Sequence, residues 1–141
     1  MQVKQATTQG ELDDALQVRI AVFVDEQGVP REAEIDEHEA LSEHIVVYNA
    51  DKLPVGAGRL RIVDGVAKLE RICILAAYRQ YGLGRKIVAA LEGIASGKGL
   101  TTAKLHGQSQ AEHFYHKLGY QTKSAVFMED GIPHVLMTKS L

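Results

Sequence analysis

The chain has 141 residues, 45% apolar and 24% charged, which suits one ordinary globular domain over residues 1–141 with a single core. A net charge of −2 carries no sign of a nucleic-acid surface, and no apolar run approaches the roughly 18 residues of a membrane span, so no nucleic acid and no membrane is expected as partner. One cysteine cannot form an internal disulfide, and Met1-Gln2-Val3-Lys4-Gln5 lacks the apolar core of a signal peptide, which together point to a cytoplasmic protein.

Gln2 to Thr7 reads as a short strand. Thr8-Gln9-Gly10-Glu11 is a capping box, with Thr8 as N-cap and Glu11 three residues on. Leu12, Leu16, Ile20 and Phe23 then recur at helical spacing, which predicts a helix to about Gln27 that stops at Gly28. The acidic stretch Pro30 to Glu39 has room for one short helical turn. His44 to Asn49 reads as a strand, and Asp51-Lys52-Leu53-Pro54 as a turn. Val55 to Val63 and Val66 to Ile74 are two longer strands joined at Asp64-Gly65, a dipeptide favoured in tight hairpins. Ile87, Val88, Leu91, Ile94 and Ala95 mark a helix with one apolar face, fraying at Gly97-Lys98-Gly99. Thr101 to His106 is the next strand. Ser109-Gln110-Ala111-Glu112 reads as a second capping box, opening a helix that Gly119 closes. Tyr120 to Met128 and Ile132 to Lys139 make a last hairpin around Glu129-Asp130-Gly131. This order predicts an α+β fold, one mixed sheet of about seven strands with helices on both faces.

Between the strand ending at Ile74 and the helix after it lies Arg79-Gln80-Tyr81-Gly82-Leu83-Gly84-Arg85-Lys86. Glycines let a chain pass close to a ligand, a helix start presents unpaired N–H groups, and three cations add charge, so the turn suits a pyrophosphate. It is not a P-loop, because Ile87 stands where Ser or Thr must follow the lysine, and not a dinucleotide loop, because the third glycine would also fall on Ile87. Arg79-Gln80-Tyr81-Gly82-Leu83-Gly84 resembles the Arg/Gln-x-x-Gly-x-Gly/Ala loop of the GNAT acetyltransferases. The later run Leu105 to Tyr120 resembles that family's second signature, a strand and a polar turn followed by Ala111, Tyr115, Gly119 and Tyr120 in register. Gln108 stands where many members carry Asn, and Ala76 where many carry Pro. Arg19 to Pro30 and Glu129 to His134 are similar to a small bacterial subgroup of ElaA-like and YjcF-like proteins.

The resemblance implies the GNAT fold, in which Val66 to Ile74 and Thr101 to His106 would splay apart to admit pantetheine. It implies acetyl-CoA as cosubstrate and no metal. Its diphosphate would lie on Arg79, Gln80, Tyr81, Gly82, Leu83, Gly84 and Arg85, its pantetheine along the main chain of Ile72, Cys73 and Ile74, with Gln108 nearby. It implies transfer of acetyl to a primary amine of a small molecule or peptide by direct attack in a ternary complex, with a homodimer left open. Tyr115 would be the acid for the departing sulfur, or else a core aromatic beside Phe114.

Other residues keep two readings each. Glu70 is a candidate base, or the partner of Arg59 or Arg61; strand alternation puts it on one face with Ile72 and Ile74. Cys73 is a candidate nucleophile or a packed residue. Glu26 and the acids after it could draw a cationic amine or form a solvated face. His134 could line the acceptor pocket or sit half-exposed on a strand. The six histidines show no metal-ligand spacing, although His113 and His116 are three apart on one helix. A silent acyl-CoA-binding module and an interaction domain that binds no CoA are the rival functions.

Overall fold

The structure is a computed structural model describing residues 1–141. Strand β1 (Gln2–Gln5) leads into helix α1 (Gln9–Arg19), which continues as a π-helical segment, Ile20–Glu26. Helix α2 (Arg31–Glu34) is a single turn. Strands β2 (Glu43–Tyr48), β3 (Pro54–Val63) and β4 (Val66–Ile74) follow, then helix α3 (Leu83–Gly97), strand β5 (Thr102–Gln108), helix α4 (Glu112–Lys117) and strands β6 (Gln121–Thr122), β7 (Phe127–Glu129) and β8 (Ile132–Ser140). The eight strands form one sheet in the order β1-β2-β3-β4-β5-β8-β6, with β7 also on β8. All pairs are antiparallel except β4 with β5.

Local signals explain most of these elements. The Thr8 hydroxyl accepts from the Glu11 N–H at 3.2 Å while the Glu11 carboxylate accepts from the Thr8 N–H at 3.1 Å, so the capping box forms as the sequence implies. Asp64-Gly65 and Asp130-Gly131 both take positive φ, as a two-residue turn matched to strand twist requires. Helix α3 sets Leu83, Ile87 and Leu91 against Ile45, Leu60, Leu69 and Leu105 on one face of the sheet. On the other face α1 sets Ala15 and Val18, with Val22 beyond it, against Val46, Ala57 and Cys73.

Three features depart from the sequence expectation. Ser109-Gln110-Ala111-Glu112 is not a capping box: residues 109–111 form a 3₁₀ turn, the Ser109 hydroxyl is buried without a partner, and the Glu112 carboxylate accepts from the Thr122 hydroxyl of β6 instead of turning back. The strand expected from Tyr120 to Met128 is broken into β6 and β7, because the Ser124 hydroxyl takes the Leu136 N–H at 2.9 Å in place of a backbone carbonyl. Third, strand alternation fails in β4. Ala57 pairs with Cys73 and Arg59 with Glu70, so Gly58 alone lies opposite Arg71 and Ile72, and Arg71 takes φ +57°. This β-bulge inserts one residue and reverses the faces after it. Leu69, Ile72 and Ile74 therefore pack toward α3, while Glu70 and Cys73 turn to the α1 side. Gly58 is required beside the bulge, since a Cβ there would stand 2.7 Å from the Ile87 side chain.

On the α1 side lies a buried charge network. Arg19 and Arg59 are 1% and 0% exposed. Arg59 holds Asp36, Glu39 and Glu70; Arg19 holds Glu34 at 2.8 Å and Glu39 at 2.6 Å; Arg71 reaches Glu34 and Asp36, each at 3.2 Å. Of the acids that read as a solvated or substrate-attracting run, Glu34, Asp36 and Glu39 thus turn inward and fasten residues 34–39 to the sheet, while Asp25, Glu26, Glu32 and Glu37 stay exposed. Removing one partner from a buried pair strands the other charge, at about 3–5 kcal/mol. Arg59→Met should lower unfolding stability in urea by about that much. Burial alone would raise the Glu70 carboxyl, but the Arg61 hydrogen bond and the Arg59 and Lys68 charges outweigh it and hold it at about 2 against an ordinary 4.5. Its contribution is therefore full above about pH 4.5 and fades as pH falls toward 2. Stability measured across that interval should drop, and Glu70→Gln should flatten the drop.

Candidate active site

β4 and β5 pair only at Ala67–Ala103, Lys68–Lys104 and Leu69–Leu105. Beyond these three pairs the strands diverge, and the main chain of residues 70–74 loses its neighbour on that side. A cavity of ≈ 940 Å³ opens in the gap. Of the residues singled out in the sequence, Glu70, Ile72, Cys73, Ile74, Tyr115 and Gln108 stand in its wall, as do Arg79, Gly82, Gly84, Glu26 and His134.

At one end is the glycine turn. Gly82 takes φ +69°, the left-handed conformation that lets the 3₁₀ turn of residues 76–81 enter α3, and it supplies no side-chain cap. The first N–H groups of α3 are therefore left for a ligand or water. Gly84 lies against Phe114, where a Cβ would approach the ring to 3.0 Å. Arg79 sends its Nε–H to the Ile74 carbonyl at 2.9 Å and its two remaining nitrogens to Glu26 at 2.6 and 2.8 Å. Arg79, proposed for phosphate, and Glu26, proposed for the acceptor, thus hold each other. Gln80, Tyr81 and Arg85 are exposed and stand off the cavity wall, and the Leu83 side chain is buried in the core, so Leu83 can offer a ligand only its main chain.

Tyr115 projects from α4 into the cavity wall, 8% exposed, with Phe114 and Tyr120 edge-on at 5.0 and 6.0 Å. The ring lies over Gly107, where a Cβ would come within 3.2 Å. Burial pushes its phenol up to about 12, with Cys73 adding in the same direction. The π-helical segment, in which the Gln27 N–H reaches back to the Val22 carbonyl at 3.0 Å, puts Val22 and Phe23 one wide turn from Glu26 and Gln27. All four face the cavity, and the Gln108 amide donates to Gln27 at 2.9 Å.

The model of the acetyltransferase (GNAT) domain matches residues 8–141. This chain belongs to the GNAT acetyltransferase family. It is 57% identical to the uncharacterized protein YyaT of Bacillus subtilis over 100% of this chain and 97% of that protein, and 51% identical to an uncharacterized N-acetyltransferase of that organism, YjcF, over 95% and 96%. Escherichia coli ElaA superposes with a TM-score of 0.86 at 25% identity, over 99% of both chains. The subgroup likeness drawn from the chain's ends and the fold drawn from its element order both agree with these relatives.

Several residues of this cavity escaped the sequence. Phe23 and Gln27 arrive through the π-helical segment, which helical spacing does not foretell. His106 and Glu129 meet across β5, β8 and β7; the alternation of His106 with Gln108 was the one available signal. No group of three or more His, Cys, Asp or Glu is arranged to hold a metal, and no helix is long and apolar enough to cross a membrane. Cys73 is 5% exposed, and burial drives its thiol far above the usual range. A neutral buried thiol is a poor nucleophile. Cys73 in the folded protein should resist iodoacetamide at about pH 8 and react within minutes in urea, as read by intact mass.

Proposed function

We propose that this chain transfers an acetyl group from acetyl-CoA to a primary amine of a small molecule or peptide, by direct attack within a ternary complex. The observation that carries the reading is the open stretch between β4 and β5, with unpaired helix N–H groups at one end and a buried tyrosine in its wall. Exposed main chain at residues 72–74 suits an extended amide-bearing arm, which would pair there as an added strand does. The turn at Gly82–Gly84 suits the diphosphate. The bound thioester supplies an activated acetyl group, so no residue of the chain need form a covalent intermediate, which accords with the inert Cys73.

Tyr115 then serves the departing sulfur. With the phenol at about 12, it stays protonated across the neutral range. Complete proton transfer to a thiolate of pKa about 8.5 would be uphill by about 3–4 units, so its main service is a hydrogen bond to charge developing on sulfur. Glu70 is ill suited to be the base: its oxygens face Arg59, Arg61 and Lys68, and a carboxyl held at about 2 has little appetite for a proton. Its service is to hold the bulged strand. Glu26, closed on Arg79, bridges the π-helical segment to the phosphate turn rather than waiting for an amine.

Release of CoA thiol from acetyl-CoA, followed with DTNB across a panel of primary amines, tests the reading. A chain that binds CoA yet releases none would be a silent binding module. In the active protein, Tyr115→Phe should lower kcat about 10²–10³-fold with little change in CoA affinity by calorimetry. Because the phenol titrates only near 12, the wild-type profile should show no alkaline limb from Tyr115 through about pH 10. Near-normal kcat in the Phe variant would reduce Tyr115 to a packing residue.

A further inference from the structure

The proposed transfer needs a base for the acceptor amine, and Glu70 does not supply one. We propose that His106 is that general base and that Glu129 holds it in the reactive tautomer; this rests on the acetyl-transfer reading above. His106 is the first β5 residue past the last pair with β4, so its side chain stands where the strands part. It lines the same cavity as Tyr115, and 28% of its side chain is exposed.

The tautomer follows from the hydrogen bond. The His106 Nδ1 lies 2.8 Å from Glu129 Oε1. The His106 hydrogen bond holds the Glu129 carboxyl below its ordinary range, so at neutral pH Glu129 can only accept. Nδ1 therefore carries the hydrogen, and the neutral ring keeps its lone pair on Nε2. Phe127 stands edge-on to the ring at 5.1 Å and 80°, which fixes its plane. An imidazole oriented through one nitrogen by a carboxylate, with the other nitrogen open to a cavity, is the arrangement a base requires.

The other histidines and the buried carboxylates in the wall are held by partners of their own. His134 gives its Nδ1–H to the Ile132 carbonyl at 2.7 Å, is stacked on Phe127, and turns Nε2 toward Glu129 at 3.7 Å. His38 lies on the acidic loop beside Glu37, at 3.3 Å. Asp36 and Glu34 are tied to arginines. The charged and titratable groups that share the wall with His106 from the elements packed against it are Glu129 on β7, Asp130 in the β7–β8 turn, His134 on β8, and Lys68 and Glu70 on β4, with Lys104 two residues before it on its own strand.

The proton count closes. His106 Nε2 first takes one proton from the ammonium, and the lone pair this frees on the amine nitrogen attacks the thioester carbonyl. The C–N bond forms and the C–S bond breaks. The second ammonium proton ends on sulfur, beside Tyr115, and His106 returns its own to water. The products are a neutral amide, a neutral thiol and one released proton.

Two measurements test this on the full chain. Nitrogen–proton correlation spectra of the ligand-free protein should show His106 as the Nδ1–H tautomer, lost or mixed in Glu129→Gln. With acetyl-CoA and the panel of primary amines, His106→Gln and His106→Asn should lower kcat about 10²–10⁴-fold and abolish the acid limb of the kcat profile, while calorimetry shows CoA binding unchanged within about twofold. Glu129→Gln should also lower kcat, by up to about 10⁴-fold, because the ring is then free to take the other tautomer. An Nε2–H tautomer, or an active wild type whose His106 variants keep its kcat and acid limb, overturns the assignment of His106 alone. A wild type that binds CoA but stays silent with every amine overturns the transfer reading and this role with it.

Discussion

The proposed site depends first on the early end of pairing between β4 and β5. Three residue pairs hold the two strands together, and then the hydrogen-bond ladder stops. In a sheet interior such a gap is costly, because each unpaired N–H and C=O forgoes a bond that water or a ligand must replace. Here the gap is maintained from both sides. The bulge at Arg71 gives β4 an extra residue and a local bend, and Gly58 admits the Ile87 and Leu91 side chains beside it. On β5, Gly107 lets Tyr115 lie flat against the strand. Two positions without a Cβ thus admit the side chains packed beside the gap.

The charge network is the counterpart of that gap. A strand carrying Glu70 and Arg71 through the middle of a sheet would be poor design for stability alone, since paired buried charges seldom outdo apolar packing. The network earns its place through position: Arg59 and Arg19 draw residues 34–39 down onto the sheet, so the acidic loop walls the cavity instead of floating over it. The same pairing removes Glu70 from proton chemistry. In the proposed transfer the base then comes from the far side of the gap, where β5, β7 and β8 assemble His106, Glu129 and Phe127.

Much of this was legible in the residues, and the reasons it was differ from one region to the next. Capping at Thr8, the Asp64-Gly65 turn and the amphipathic face of α3 are local, so spacing reveals them. The glycine turn and the register of Tyr115 with Gly119 were legible as a family likeness. What stayed hidden depends on contacts between distant residues. The Arg71 bulge shows only in the β3–β4 register; the Ser109 turn fails as a cap because Glu112 finds Thr122; the Arg79–Glu26 bridge joins residues 53 apart. The His106–Glu129 contact likewise needs the strand order β5-β8-β7, which no short window contains.

The central claim is that the parted strands and the glycine turn together form one site for CoA. Amide hydrogen exchange with and without CoA tests it most directly. Protection should rise at residues 70–74 of β4, at 106–108 of β5 and in the first turn of α3, while the β1–β2 edge stays unchanged. Protection that leaves residues 70–74 untouched, or that spreads evenly over the sheet, would contradict it.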